Sequence, residues 1–302
     1  MKGACRSFFT LTGFRRAAAL CLWIVSIAGA PASAAARVLD VGASAASANP
    51  ASPIALAAYF DVLEDPGRTM TLADLRGRDA AQPAAWRAVS APEVNYGYSP
   101  SAYWLRLHLR NTSEAPVSRM MELRHWGLEQ IEFHQTSADG AARSVVTGSL
   151  TPFGSRPYAH RYFVFPITVA PHAEQWVYLR VQSTPVIVPA VLWEPEPFHA
   201  YERNDYIAQA LFFGLAIAML IYNLLLFIGT RIAVYLWYVV FVACTTLTLA
   251  DQNGLAKEFL WPNAPAWSAI SVNVGYSLSL ATVLFWSARV SVVQATNTTY
   301  HR

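Results

Sequence analysis

Tyr103 to Arg110 alternates without a break. Tyr103, Leu105, Leu107 and Leu109 fall on one side, and Trp104, Arg106, His108 and Arg110 on the other. A period of two sends successive side chains to opposite faces of a strand, so this run reads as a half-buried strand. Residues 176–181 repeat the pattern, with Val177, Leu179 and Val181 against Trp176, Tyr178 and Arg180. Further strands are expected at 117–123, 129–135, 143–148, 161–167 and 186–192. Turn signals separate them: EDPG (64–67), NTSEAP (111–116), SADG (137–140) and FGSRP (153–157). One short helix is expected to start at Thr71 in TLADL (71–75). Strands at this spacing over residues 57–197 predict an all-β, jelly-roll-like sandwich.

Past Pro195 and Pro197 the texture changes. FHAYERND (198–205) is polar and reads as a juxtamembrane linker over 198–206. Residues 207–228, 232–250 and 267–288 then hold no Asp, Glu, Lys, Arg or His. Each is long enough for the roughly 20 residues a helix needs to cross the hydrocarbon core. Trp237, Trp261, Trp267, Tyr235 and Tyr276 suit interfacial belts. Asn223 and Asn273 are expected to hydrogen-bond between helices.

Composition sharpens this picture. Only 14% of the 302 residues are charged, against about 25% in an average soluble chain. Lys2, Arg6, Arg15 and Arg16 precede the apolar run 17–30, and Ala32-Ser33-Ala34 fits a cleavage site, so 1–34 reads as a signal peptide. Without it 18 basic residues face 19 acidic ones, and nothing favours nucleic acid. Cys5 and Cys21 leave with the signal, so only Cys244 stays and no intrachain disulfide is expected. Residues 35–56, rich in Ala and Ser, read as a flexible lead-in. An exported sandwich puts the first span inward, with Arg231, Arg289 and Arg302 on the cytoplasmic side and Arg203 and Lys257 outside. Residues 289–302 form a short cytoplasmic tail, and the simplest reading is a chain that stops early.

Hydrolase, phosphate-loop and metalloprotease motifs are missing, and the seven histidines are scattered without ligand spacing. No catalytic residue, cofactor or metal is expected. The candidate chemistry is the face of Trp104, Arg106, His108, Trp176, Tyr178 and Arg180. Aromatic rings offer flat surface to sugar C–H groups, and Arg donates fixed hydrogen bonds to hydroxyls or carboxylates. The competing reading has the rings packed beneath a loop or helix and the arginines paired with nearby acids. Asn95 and Gly97 are expected in a turn, Asn95–Tyr98, that sets the register of the 103–110 strand, with Gly97 at positive φ.

Several stretches carry a family resemblance: YFDVLEDPGRTMTLADL (59–75), NYGYSPSAYWLRLHLRN (95–111), LEQIEFHQ (128–135), TGSLTPFGSRPYAHRYFVFPI (147–167) and WVYLRVQS (176–183). FFGLAIAMLIYNLLLFIGTRIAVYLWYVVF (212–241) and NGLAKEFLWP (253–262) continue it into the membrane part. In this order they resemble bacterial seven-transmembrane receptors with diverse intracellular signalling modules (7TMR-DISM), of the type-2 extracellular domain. The resemblance implies a sensor in the bacterial inner membrane. It would bind a periplasmic small molecule, carbohydrate-related, and relay it through the first helices of a seven-helix bundle. The output would be a diguanylate cyclase or histidine kinase outside this chain. The partners expected are that ligand and the lipid bilayer, with a homodimer left open. A membrane-tethered carbohydrate-binding accessory protein is the alternative.

Overall fold

The computed structural model describes residues 37–42, 52–81, 86–136 and 142–300. The signal peptide and the SADG turn lie outside them. Among the described residues thirteen strands precede the long C-terminal helices: β1 Val38–Asp40, β2 Ile54–Ala55, β3 Asp61–Asp65, β4 Arg87–Ala88, β5 Val94–Gly97, β6 Ala102–Arg110, β7 Val117–Leu123, β8 Gln130–Thr136, β9 Ala142–Thr147, β10 Phe163–Val169, β11 Glu174–Gln182, β12 Val186–Val188 and β13 Ala190–Trp193. One sheet runs β4-β3-β6-β11-β8-β9, with β1 added parallel to β6, and the other runs β10-β7-β13-β2. β5 and β12 form a separate pair.

The expected strands are present, and the alternation explains why. Leu105, Leu107, Leu109, Val177 and Leu179 face inward with no exposed surface and meet Met121, Leu123 and Phe165 of the second sheet. Phe133 stacks on Phe165 across the gap at 4.6 Å. Two short strands occur within the expected flexible lead-in. Val38–Asp40 pairs with His108–Arg110, and Ile54–Ala55 pairs with Val191–Leu192. Their apolar residues find uncovered strand ends, and Asp40 fixes the first by accepting the Thr112 hydroxyl at 2.7 Å.

Thr71 caps helix α1, Leu72–Ala81. Its hydroxyl donates to Asp74 at 2.7 Å, and the Thr71 N–H donates to the same carboxylate at 2.8 Å. Where a turn was expected, Asn95, Tyr96 and Gly97 instead belong to strand β5, which pairs with β12. Gly97 has φ of 60°, and its N–H reaches the Asn95 side chain at 3.0 Å. A Cβ there would meet nothing within 4 Å, so substitution costs backbone strain alone. Gly97→Val is expected to destabilise the sandwich by about 1–2 kcal/mol, read as a lower urea midpoint. An unchanged midpoint would show that the loop relaxes freely.

Five further helices follow: α2 Pro195–Thr230, α3 Ala233–Gln252, α4 Leu255–Phe259, α5 Pro265–Ser268 and α6 Ser271–Tyr300. The juxtamembrane linker is helical and forms part of α2. Pro195 starts α2 in the first turn, where a missing N–H costs nothing, and Phe198 is fully buried against Met120, Val164 and Trp193. Among the described residues two helices are long and apolar enough to cross a membrane, Pro195–Thr230 with mean hydropathy 2.5 over its best window and Ala233–Gln252 with 1.8. The stretch expected as a third span is divided between α5 and α6. Gly275 of α6 lets that helix approach Thr248 of α3, and Trp237 stacks on Phe285 at 5.3 Å. Asn223 bonds within its own helix, to the Met219 carbonyl at 2.8 Å, where an interhelical bond was expected. An asparagine in an apolar setting takes the carbonyl one turn back when no neighbour offers better.

Candidate functional site

Pairing of β6 with β11, and of β11 with β8, sets the outer face of the large sheet. His108 lies beside Trp176, Arg106 beside Tyr178 and Trp104 beside Arg180. The six candidate residues therefore do come together. Most of them are covered. Trp104 is 1% exposed and packs with Leu63, Leu75, Trp86 and Tyr178, so the ring sits beneath α1. Arg106 bonds Asp61 at 3.0 Å, with its guanidinium 4.5 Å over the Trp86 ring and 5.2 Å over Trp176. Arg180 bonds Glu132 at 2.7 Å and the Arg68 carbonyl at 2.9 Å. His108 stacks on Trp176 at 4.2 Å and reaches Glu174 at 3.1 Å. His108, Trp176 and Arg106 stay partly exposed. This much of the face behaves as a second small core that fastens α1 to the sheet.

A cavity of about 180 Å³ opens one strand away, lined by Val62, Leu63, Glu64, Arg87, Tyr96 and Tyr103. Tyr96 stacks on Tyr103 at 4.3 Å, almost parallel. Glu64 accepts the Ser101 hydroxyl at 2.6 Å, and Arg87 is exposed. Burial and the neighbouring Tyr103 raise the Tyr96 pKa, so its hydroxyl stays protonated. The cavity thus joins flat aromatic surface, a carboxylate and a guanidinium. The register of β3 on β6 places Glu64 beside Tyr103, and Tyr96 of β5 stacks on the Tyr103 ring.

At the other end of the sandwich the loop 147–162 grips the helices. Arg161 donates to both oxygens of Asp205 at 2.8 and 2.9 Å and to the Asn253 carbonyl at 3.1 Å. The Arg161 N–H donates to the Tyr206 hydroxyl at 3.2 Å, and that hydroxyl donates to Glu258 at 2.7 Å. The Lys257 ammonium donates to the Ser149 carbonyl. The Phe153 N–H reaches the Pro262 carbonyl at 2.8 Å. Gly254 has φ of 77°, and a Cβ there would come 2.7 Å from the Arg161 carbonyl oxygen, so both the backbone and the space call for glycine. These charges are buried with consequences. Burial draws the Lys257 pKa down to about 8, with Arg156 adding to it. Burial draws Arg156 down to about 10. His160 is pushed down to about 3 by burial and then by Arg161 and Arg156, so it is neutral. Burial raises the Glu258 carboxyl.

Both halves of this junction, FGSRPYAHRY (153–162) and NGLAKEFLWP (253–262), stand out in the sequence, but nothing in it shows that they meet. Neither has a period that marks Arg161 or Lys257 as buried, since loops carry no face.

A model of the 7TMR-DISM extracellular 2 domain matches residues 57–194, and a model of the 7TM diverse intracellular signalling region matches 205–297. None of the curated proteins matches the chain. Among solved structures, the GH31 alpha-xylosidase from Xanthomonas citri shares 12% identity over 49% of this chain, with TM-score 0.27. The chain spans 16% of the xylosidase's length. TmCBM61 in complex with beta-1,4-galactotriose shares 13% identity, with 49% of this chain and 97% of that one covered and TM-score 0.26. Likeness this faint carries no inference about what the sandwich binds.

Proposed function

We propose, because this chain belongs to the 7TMR-DISM family of membrane receptors, that its sandwich binds a periplasmic small molecule and that the loop 147–162 relays occupancy to the helices. Both matched models describe receptor parts and neither a catalytic domain. The proposed ligand is carbohydrate-related, and the proposed setting is a multi-pass protein of the bacterial inner membrane with its sandwich in the periplasm. The observation that carries the relay is the pair of buried Arg161 and half-buried Asp205, which ties the sandwich to the first turns of α2. A binding event can shift an output only through an element that both ends bias. The Arg161 loop touches α2 and the α3–α4 connection together, so it supplies such an element.

The ligand is proposed to sit in the cavity of Glu64, Arg87, Tyr96 and Tyr103. That cavity is small beside the roughly 300–1,000 Å³ of a drug-sized site, so it suits a single ring. Stacking on Tyr96 and hydrogen bonds from Arg87 and to Glu64 would hold hydroxyls around that ring. The partly exposed Trp176, His108 and Arg106 form a second, flatter place for the same chemistry. Trp104, Tyr178 and Arg180 lie beside them on the same face and are more deeply buried.

Titration of the whole chain in nanodiscs with a panel of neutral and acidic sugars separates the two places. Tyr96→Ala and Arg87→Ala are each expected to weaken the binding sugar by about 1–3 kcal/mol, with the melting temperature kept. Loss of binding in Trp176→Ala alone would move the site to the sheet face. Absence of binding across the panel would overturn the carbohydrate reading.

A further inference from the structure

A second cavity, of about 130 Å³, lies between α3 and α6 at the end of the helices nearest the sandwich. Cys244, Thr248, Asp251, Trp261, Trp267 and Ser271 are among its lining residues. Asp251 is 2% exposed, and the Ser271 hydroxyl and the Trp261 Nε1–H are donors beside its carboxylate, neither of them in good hydrogen-bond geometry among the described residues. A buried carboxylate without well-formed hydrogen bonds is costly, and an ionisable residue at a membrane helix end calls for a named partner. Lys257 is the cation whose field reaches Asp251, yet its ammonium donates to the Ser149 carbonyl. The Trp261 and Trp267 rings meet edge to face at 6.1 Å and 86°, which makes two walls of a box.

We infer that this cavity is a binding site for a small organic ammonium ion, with Asp251 as counter-ion and the two tryptophans as the aromatic walls. Aromatic faces attract cations through their quadrupole, most strongly where water is excluded. An inorganic cation fits less well. Hard ions take about six or more oxygen ligands, whereas Thr248 and Ser271 already donate to the Cys244 and Ser268 carbonyls and the remaining wall is largely apolar. The site is separate from the sandwich cavity, so it stands or falls independently of the sugar reading.

The probe is tetramethylammonium chloride, titrated at constant ionic strength against sodium chloride. The whole chain is held in nanodiscs of phosphatidylglycerol, whose headgroup carries no ammonium. Wild type is expected to show a saturable change in tryptophan fluorescence and a rise in melting temperature. Asp251→Asn is expected to weaken that response by about tenfold or more, as loss of a desolvated cation partner should. In a Cys5→Ser, Cys21→Ser background, the probe should slow modification of Cys244 by a neutral thiol reagent. That last readout needs no Asp251 variant, so a folding failure in Asp251→Asn leaves the inference testable. Phosphatidylcholine nanodiscs that abolish the response would assign the ammonium to a lipid headgroup, and undiminished response there would assign it to a free molecule. Equal effects of sodium, an unaltered response in Asp251→Asn, or no protection of Cys244 would each overturn the inference.

Discussion

Trp104→Ala is expected to cost the sandwich about 3–5 kcal/mol, most of a typical domain's margin of about 5–15. The ring is 1% exposed, and it is the floor on which Leu63, Leu75, Trp86 and Tyr178 converge. Removing it opens a cavity beneath α1 and unseats the helix. It also removes the ring that lies 5.9 Å from His134. Its Nε1 has no hydrogen-bond partner among the described residues, so phenylalanine gives up no polar contact with them. Trp104→Phe should therefore cost less, under about 2 kcal/mol. Urea unfolding of the whole chain, followed by near-ultraviolet signals of the sandwich, measures both. A Trp104→Ala midpoint equal to wild type, with binding lost, would show that the ring faces a ligand after all.

Arg161→Ala is expected to be as severe, about 3–5 kcal/mol, because truncation leaves the half-buried Asp205 carboxylate without its partner. The Arg161 side chain is 5% exposed and Asp205 18% exposed, so water cannot fully replace the pair. The loss should appear as parting of sandwich and helices: faster proteolysis within 147–162 and 253–262, with the sandwich core still folded. Arg161→Lys keeps the charge and loses the two-pronged geometry, so it should recover part of the stability only. Uniform unfolding of the sandwich in Arg161→Ala would instead make Arg161 an ordinary core residue.

The alternation of residues 103–110 and 176–181 was enough to find β6, β11 and the core they face, since a period of two on a pleated strand allows only one buried set. The same pattern could not tell a ligand face from a face under a helix. Trp104 and Arg180 read alike in either case, and the difference lies in where α1 lands, which is a tertiary fact. Val38–Asp40 was missed because three residues in an Ala- and Ser-rich stretch have no period to read. Arg161, Asp205 and Lys257 were missed for a related reason. Their partners are 44 to 108 residues away in the chain, and only folding brings them together. The family likeness carried the order of the parts but assigned these residues no role.

A double-mutant cycle on Arg161 and Asp205 tests most directly whether the sandwich is mechanically joined to the helices. Arg161→Ala, Asp205→Ala and the double variant are unfolded as whole chains in nanodiscs. The account predicts a double variant little worse than either single one, with a coupling energy of about 2 kcal/mol or more. Additive losses, with coupling near zero, would contradict it and leave the sandwich as a tethered neighbour of the helices.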